Sequence, residues 1–226
     1  TQLTVNDEET LTIDDGAIDS ALNLVVTTLT AEDLVTLNIT GVANVVITNA
    51  ITAQTTATLT TVNAATNTGT VDVDASNATL VLTMTGSSTA ASILAGGSRG
   101  DIINGGAGAD TLTGNGGTDT ITGGSGIDGI NGGTGNDTLT GGEGADTITG
   151  AAGSDSIILT ETQSAADIVV INAVQAVSSD SGRTTVTGDN NDTGSDTVTG
   201  FAFGTDTINI VATAVTVFDH TTDTFI

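Results

Sequence analysis

Residues 132–150 read GGTGNDTLTGGEGADTITG, in which one nine-residue phrase is stated twice: glycine, glycine, any residue, glycine, any, aspartate, any, aliphatic, any. The same phase runs through residues 96–158, which divide into GGSRGDIIN, GGAGADTLT, GNGGTDTIT, GGSGIDGIN, GGTGNDTLT, GGEGADTIT and GAAGSDSII. All seven copies keep aspartate at the sixth place: Asp101, Asp110, Asp119, Asp128, Asp137, Asp146 and Asp155. All seven keep Ile or Leu at the eighth, from Ile103 to Ile157. Arg99, Asn115 and Ala151 each stand where the pattern asks for glycine. A flexible low-complexity tract has no reason to hold phase through seven copies, so the period signifies stacked repeats.

The rest of the composition agrees with a chain of many short strands. Val, Ile and Thr favour strands and frequent Gly favours tight turns. Pro, Cys, Trp and Tyr are absent, and there are 30 Gly and only four Phe among 226 residues. Without cysteine there are no disulfides, thiolate metal sites or cysteine nucleophiles. Twenty-seven acids face two arginines, Arg99 and Arg183, for a formal charge of −25. Such a surface repels nucleic acid and anionic membranes, both of which are bound through clustered Lys and Arg. It also repels copies of itself unless cations intervene. Acidic composition alone fits disorder, but a mean hydropathy of +0.22 and regular aliphatic spacing argue for a folded chain. No stretch approaches the roughly 20 apolar residues of a membrane-spanning helix. The chain begins at Thr1 without Met, as a processed product or a piece of something larger would.

Three regions follow. Residues 1–95 carry Thr/Val/Leu-rich runs such as LVTLNITG, NVVITN, ATLTTVNA, GTVDVDAS and ATLVLTMTG, punctuated by Asn, Gly and Ser. Their spacing suits an irregular β-helix or a sandwich-like body, and the direct run into Gly96 favours a solenoid continuous with the repeats. The stretch SALNLVVTTLTAEDLV is a candidate short helix. Residues 159–226 break the phase, then regain it where Asp196 and Asp206 each stand two places before Val198 and Ile208. Phe201 and Phe203 between them are candidates to plug an open solenoid end.

Residues 96–158 resemble the RTX, or hemolysin-type calcium-binding, repeats of bacterial proteins exported by type I secretion; the glycine-rich nonapeptide is a recognised calcium-binding repeat. The tail DTVTGFAFGTDTINI resembles the segment that closes such blocks, and residues 1–95 more loosely resemble the solenoid body of RTX-bearing surface-layer proteins. The resemblance implies Ca²⁺-triggered folding outside the cell and a C-terminal export signal. The expected fold is all-β: a β-solenoid with a calcium-binding parallel β-roll at 96–158.

In such a roll the six-residue turn and three-residue strand make half a coil, so two copies close an 18-residue coil with the aliphatic residue inside. Glycines let the turn fold carbonyls inward, and aspartate adds the hard anionic oxygen that Ca²⁺ prefers. Stacking pairs residues 18 apart, giving one ladder of Asp101, Asp119, Asp137 and Asp155 and a second of Asp110, Asp128 and Asp146. Three gaps on one edge and two on the other predict up to five Ca²⁺ ions, with Arg99 and Asn115 falling at the Asp101–Asp119 gap. Asp196 and Asp206 are further candidate ligands. Because one small aliphatic per nine residues buries little, the ion acts as the missing core. A site filled at ~100 Kd contributes about 2.7 kcal/mol.

Catalysis finds no constellation. His220 is the only histidine and reads as solvent-facing, and no nucleophile elbow or zinc-binding helix appears. Asp189–Gly194, DNNDTG, resembles the opening of an EF-hand loop but lacks its closing Glu. Threonine pairs flanking the inward residues raise ice binding. However, one face is interrupted by Gly129 and Asn131, and the other has two Thr rungs bounded by Ile102/Asn104 and Ser156/Ile158. Strand propensity explains the threonines as well. The expected function is a calcium-stabilised extracellular structural protein that self-assembles at the cell surface. Copies of itself are the expected partners, and a cell-surface glycan is a second candidate. The alternative is a calcium-binding folding and secretion module of a larger enzyme, toxin or adhesin.

Overall fold

A computed structural model describes residues 2–5, 9–14, 23–31, 33–47, 58–159, 161–163, 165–171, 177–180, 183–187, 195–202, 205–210, 217–219 and 224–225. The described residues form strands and turns throughout. The candidate helix at 20–35 is therefore corrected: its described part holds β3 (Asn23–Val26) and β4 (Thr28–Ala31). The β-branched residues there (Val25, Val26, Thr27, Thr28 and Thr30) are stiff at χ1 and fit a pleated surface better than a helix.

Two facing sheets build a solenoid. The first stacks β3, β6 (Asn44–Ile47), β8 (Val71–Asp74), β10 (Ser92–Ala95), β12 (Thr111–Gly116), β14 (Gly129–Thr134), β16 (Thr147–Ala152), β18 (Ile168–Ile171) and β22 (Thr207–Ile210). All its neighbours are parallel. The second stacks β2 (Thr10–Asp14), β5 (Thr36–Gly41), β7 (Thr61–Asn67), β9 (Thr83–Thr85), β11 (Ile102–Ala107), β13 (Thr120–Ser125), β15 (Thr138–Glu143), β17 (Ser156–Ile158) and β21 (Ser195–Thr199), again in parallel. It continues into β20 (Arg183–Thr187) and β19 (Val177–Asp180), antiparallel additions that depart from the roll. Of the candidate plugs, Phe201 packs half-buried against the core, while Phe203 lies outside the described residues. No described helix is long and apolar enough to cross a membrane.

Pairing runs unbroken across residue 96, with β9 on β11 and β10 on β12. The body is thus a solenoid and not a sandwich. On the second sheet the interval between partners shortens toward the repeats: 26 residues at Thr10/Thr36, 25 at Thr36/Thr61, 22 at Thr61/Thr83 and 19 at Thr83/Ile102. From Ile102/Thr120 onward the interval is 18, as two nonapeptides require. One core cluster runs the length of the molecule, from Val26 and Leu37 through Ile103, Ile130 and Ile157 to Val198.

Candidate metal centre

Each roll strand begins immediately after its aspartate and turns at the glycines. The second and fourth places of the nonapeptide adopt left-handed backbone, as at Gly124 (φ 116°) and Gly126 (φ 137°), where a Cβ would also strike the carbonyl of the coil before. Asn115 and Ala151 hold the same second-place conformation at φ 72°. Asn115 is steadied by its Nδ2, which donates to the Gly96 carbonyl at 2.7 Å. The first glycine of each copy serves otherwise. At Gly105, Gly114, Gly123, Gly132, Gly141 and Gly150 a Cβ would meet the Oδ2 of that copy's aspartate within 2.2–2.4 Å. The glycine leaves the space that the carboxylate fills.

The seven aspartates are 0–2 % exposed. Their Oδ1 atoms accept from the backbone N–H one coil earlier: Asp101 to Asp119 at 2.6 Å, Asp119 to Asp137 at 2.8 Å and Asp137 to Asp155 at 2.8 Å. On the other edge Asp110 donates to Asp128 at 2.8 Å and Asp128 to Asp146 at 2.9 Å. The two rows expected from the 18-residue offset are thus brought together. Both run further. The Asp155 N–H donates to Asp196 at 2.8 Å, placing that residue as the next step of the first row. On the second row Asp146 donates to Asp167 at 2.9 Å, and Asp167 to Asp206 at 3.3 Å.

Asp167 was not singled out from sequence. Its turn is three residues longer than a nonapeptide, so it lies 21 residues past Asp146 and off phase. The signal was the triplet DIV, aspartate two places before the buried Val169, the same local phrase as at Asp196 and Asp206. Asp196 is 8 % exposed and Asp206 half-buried. His220 and Asp189–Gly194 lie outside the described residues.

The carboxylates differ in their second oxygens. Oδ2 of Asp110, Asp119, Asp128, Asp137 and Asp146 is buried with no hydrogen-bond partner. At the two ends, Oδ2 of Asp101 accepts from the Gly97 N–H at 2.7 Å and that of Asp206 from the Ala202 N–H at 2.7 Å. The first-copy turn is also built differently. Gly97 and Arg99 are not left-handed, and Arg99 Nε donates to the Thr79 carbonyl. At the far end the carboxylate of Glu161, in the lengthened turn, takes the place of a turn carbonyl. The fourth-place N–H of Gly108 and Gly126 bonds to a carbonyl of the following coil, whereas that of Gly144 bonds to the Glu161 carboxylate at 3.4 Å. Glu143 in turn accepts from the Thr162 N–H and hydroxyl at 2.8 and 2.6 Å, which clamps this loop over the turn.

Burying carboxylates in rows is unfavourable. Desolvation first, then the neighbouring carboxylates, pushes Asp119 and Asp146 up to about 7 and Asp110 and Asp167 up to about 6. Burial also raises Asp101, Asp128 and Asp137. No side chain can offset this charge on such a scale, because the chain has only two basic residues. The residues therefore fit a bound cation. Hard, orphaned carboxylate oxygens beside glycine turns suit Ca²⁺, which tolerates flexible carbonyl-rich coordination. Among the described residues no three acid side chains converge on one point, so backbone carbonyls must make up most of the shell.

The family profile described as the RTX calcium-binding nonapeptide repeat (4 copies) matches residues 95–130 and 123–157. Residues 95–157 are RTX repeats. The match covers the stretch in which the orphaned oxygens lie, and RTX proteins are in general secreted calcium-binding proteins. No curated protein and no solved structure matches the chain at a significant level.

Proposed function

We infer that this chain is a calcium-stabilised structural protein of the cell exterior, which folds on Ca²⁺ and assembles with its own copies at the cell surface. The observation that carries the reading is the pair of buried aspartate rows with unpartnered Oδ2 atoms, in a chain lacking the side-chain cations to balance them. Asp110, Asp119, Asp128, Asp137, Asp146 and Asp155 would hold the ions, with up to five in the roll. The self-capped Asp101 would contribute least. Asp196 and Asp206 continue the rows and would extend binding toward the C-terminal region.

In calcium-poor cytosol the like-charged rows oppose folding and keep the chain threadable for export. At the millimolar calcium of the exterior they condense around the ion. The role is mechanical and not catalytic: an elongated solenoid with a charge of −25 needs divalent cations before copies can approach. Negative-stain microscopy with calcium and with chelator tests this. Ordered assemblies appearing only with calcium are expected, and monomers in both conditions would contradict it. The second reading, a folding and secretion module of a larger enzyme, toxin or adhesin, draws on the same repeats; monomers that fold with calcium would favour it.

A further inference from the structure

The register of the second sheet brings together what sequence spacing scatters. Its outward positions flank one inward residue on each rung, and down the sheet the triplets read TLT, TLN, TVN, TMT, IIN, TIT, TLT, SII and TVT, on β2, β5, β7, β9, β11, β13, β15, β17 and β21. Twelve of these eighteen outward residues are Thr, and the rest are Asn, Ile and Ser. The two consecutive Thr rungs legible in the repeats alone are thus part of a nine-rung face, because the body coils, of different length, deliver Thr and Asn to the same two ranks. Eight steps of about 4.8 Å make the ranks about 38 Å long, and they lie roughly 6.6 Å apart.

Two features set this face apart. None of the eighteen residues is charged, in a chain that has 27 acids. Nor does strand propensity account for it, because the opposite sheet serves the same fold with the triplets DVD, ILA, TLT, GIN, TIT, IVV and TIN from β8 to β22. That face mixes Asp72 and Asp74 with Ile93, Gly129 and Ile168 and has no uniform rank.

We propose that the Thr/Asn face of the second sheet is the surface through which two copies of this chain pair, face to face about a twofold axis. Charge is the first reason. Apposed copies repel strongly wherever carboxylates meet within the roughly 8 Å screening length, and the two ranks carry none, Asp14 beyond Thr12 on the end rung being the carboxylate that lies beside them on the same side of β2. Period is the second. A partner must match a rung spacing of about 4.8 Å over nine rungs, and a second copy does so automatically, with identical short side chains interdigitating. Ile102, about half exposed on the central rung, supplies an apolar knob for such a contact. The face carries no aromatic side chain on which a sugar ring could stack. Two ranks of this size cover only roughly 250 Å² per copy, well short of a stable interface, so each contact is weak, as suits a lattice held by many of them.

This proposal rests on the self-assembly reading above, and one experiment separates their failures. Sedimentation velocity over a concentration series, at millimolar calcium, compares the wild type with Thr120→Glu/Thr138→Glu on this face and Thr111→Glu/Thr147→Glu on the opposite face. Far-UV circular dichroism certifies that both variants fold. The wild type is expected to associate, the first variant to weaken association at least tenfold, and the second to change it less than twofold. Association unchanged in the first variant, or equally lost in both, overturns the face while leaving self-assembly standing. A wild type monomeric at every concentration overturns both. A monomer whose Thr face instead retains ice or a purified surface polysaccharide, lost in the first variant alone, also overturns the copy as occupant.

Discussion

The body before residue 96 and the roll after it share one solenoid but fill it differently. In the first sheet Val45, Val71 and Ser92 point inward, and the column they form continues as Asp110, Asp128, Asp146 and Asp167. In the second, Leu82 occupies the place taken by Asp101 one coil later, with its N–H on the Asp101 Oδ1 at 2.7 Å. A further inward column runs Ile39, Ala64, Gly86, Gly105, Gly123. At corresponding positions the body has aliphatic side chains, giving way to Ser92 and Gly86 in its last coil, and the roll has a carboxylate tucked over a glycine. Each roll strand keeps a single large inward aliphatic, such as Leu112 or Ile121. Half of the solenoid therefore coheres by burying hydrocarbon, and the other half lines its interior with carboxylates that fit an ion.

Several changes would break or sharpen that contrast. The largest effect is expected from calcium removal. Chelation should abolish the strand signal of the roll in circular dichroism while the body melts as before; loss of both in one transition would mean that the two halves are not separable. Next, Asp137→Asn should raise the calcium concentration at the folding midpoint by at least tenfold. Leu37→Ala, in the body core, should cost about 2–5 kcal/mol without moving that midpoint. Equal midpoint shifts in the two variants would erase the distinction.

Acid should act oppositely on the two forms. The folded aspartates titrate above their ordinary value of 3.8, at about 6 for Asp110 and about 7 for Asp119 and Asp146, so the metal-free roll binds more protons than the unfolded chain between about pH 4 and 7. Its stability then falls as pH rises through that window. The calcium-loaded roll, which needs the carboxylates ionised, gains over the same window. Circular dichroism in metal-stripped buffer at pH 4.5 and 7.5 checks the sign. Replacing a row member with an aliphatic, Asp128→Val, should make the metal-free roll more ordered while lowering the number of ions bound in calorimetry. The smallest effect is expected at the left-handed Ala151: Ala151→Gly should stabilise the calcium-loaded protein by about 1 kcal/mol in thermal unfolding.

What was legible in the sequence tracks how local each determinant is. The roll was readable because its turn, carboxylate and aliphatic residue recur within nine positions, and the 18-residue offset follows from closing a coil with two of them. The coils of the body vary from 26 to 19 residues, so their register depends on which aliphatics meet across coils, and no fixed period announces it. Asp167 escaped because three inserted residues moved it off phase, although its DIV phrase is as local as any other. The strands at 23–31 read as a helix because their apolar residues fall at spacings compatible with either period. The nine-rung Thr face was hidden for the same reason as the body: Thr85 and Asn104 are neighbours only once unequal coils are stacked.

The most direct test of the ion-dependent half is residue-resolved amide hydrogen exchange with and without calcium. The N–H groups of Asp110, Asp119, Asp128 and Asp137, each bonded to the carboxylate one coil on, should be protected only when calcium is present, while those of Val45 and Val71 in the body stay protected in both states. Equal protection of the aspartate amides after calcium is stripped would contradict the claim that divalent metal holds the rows together.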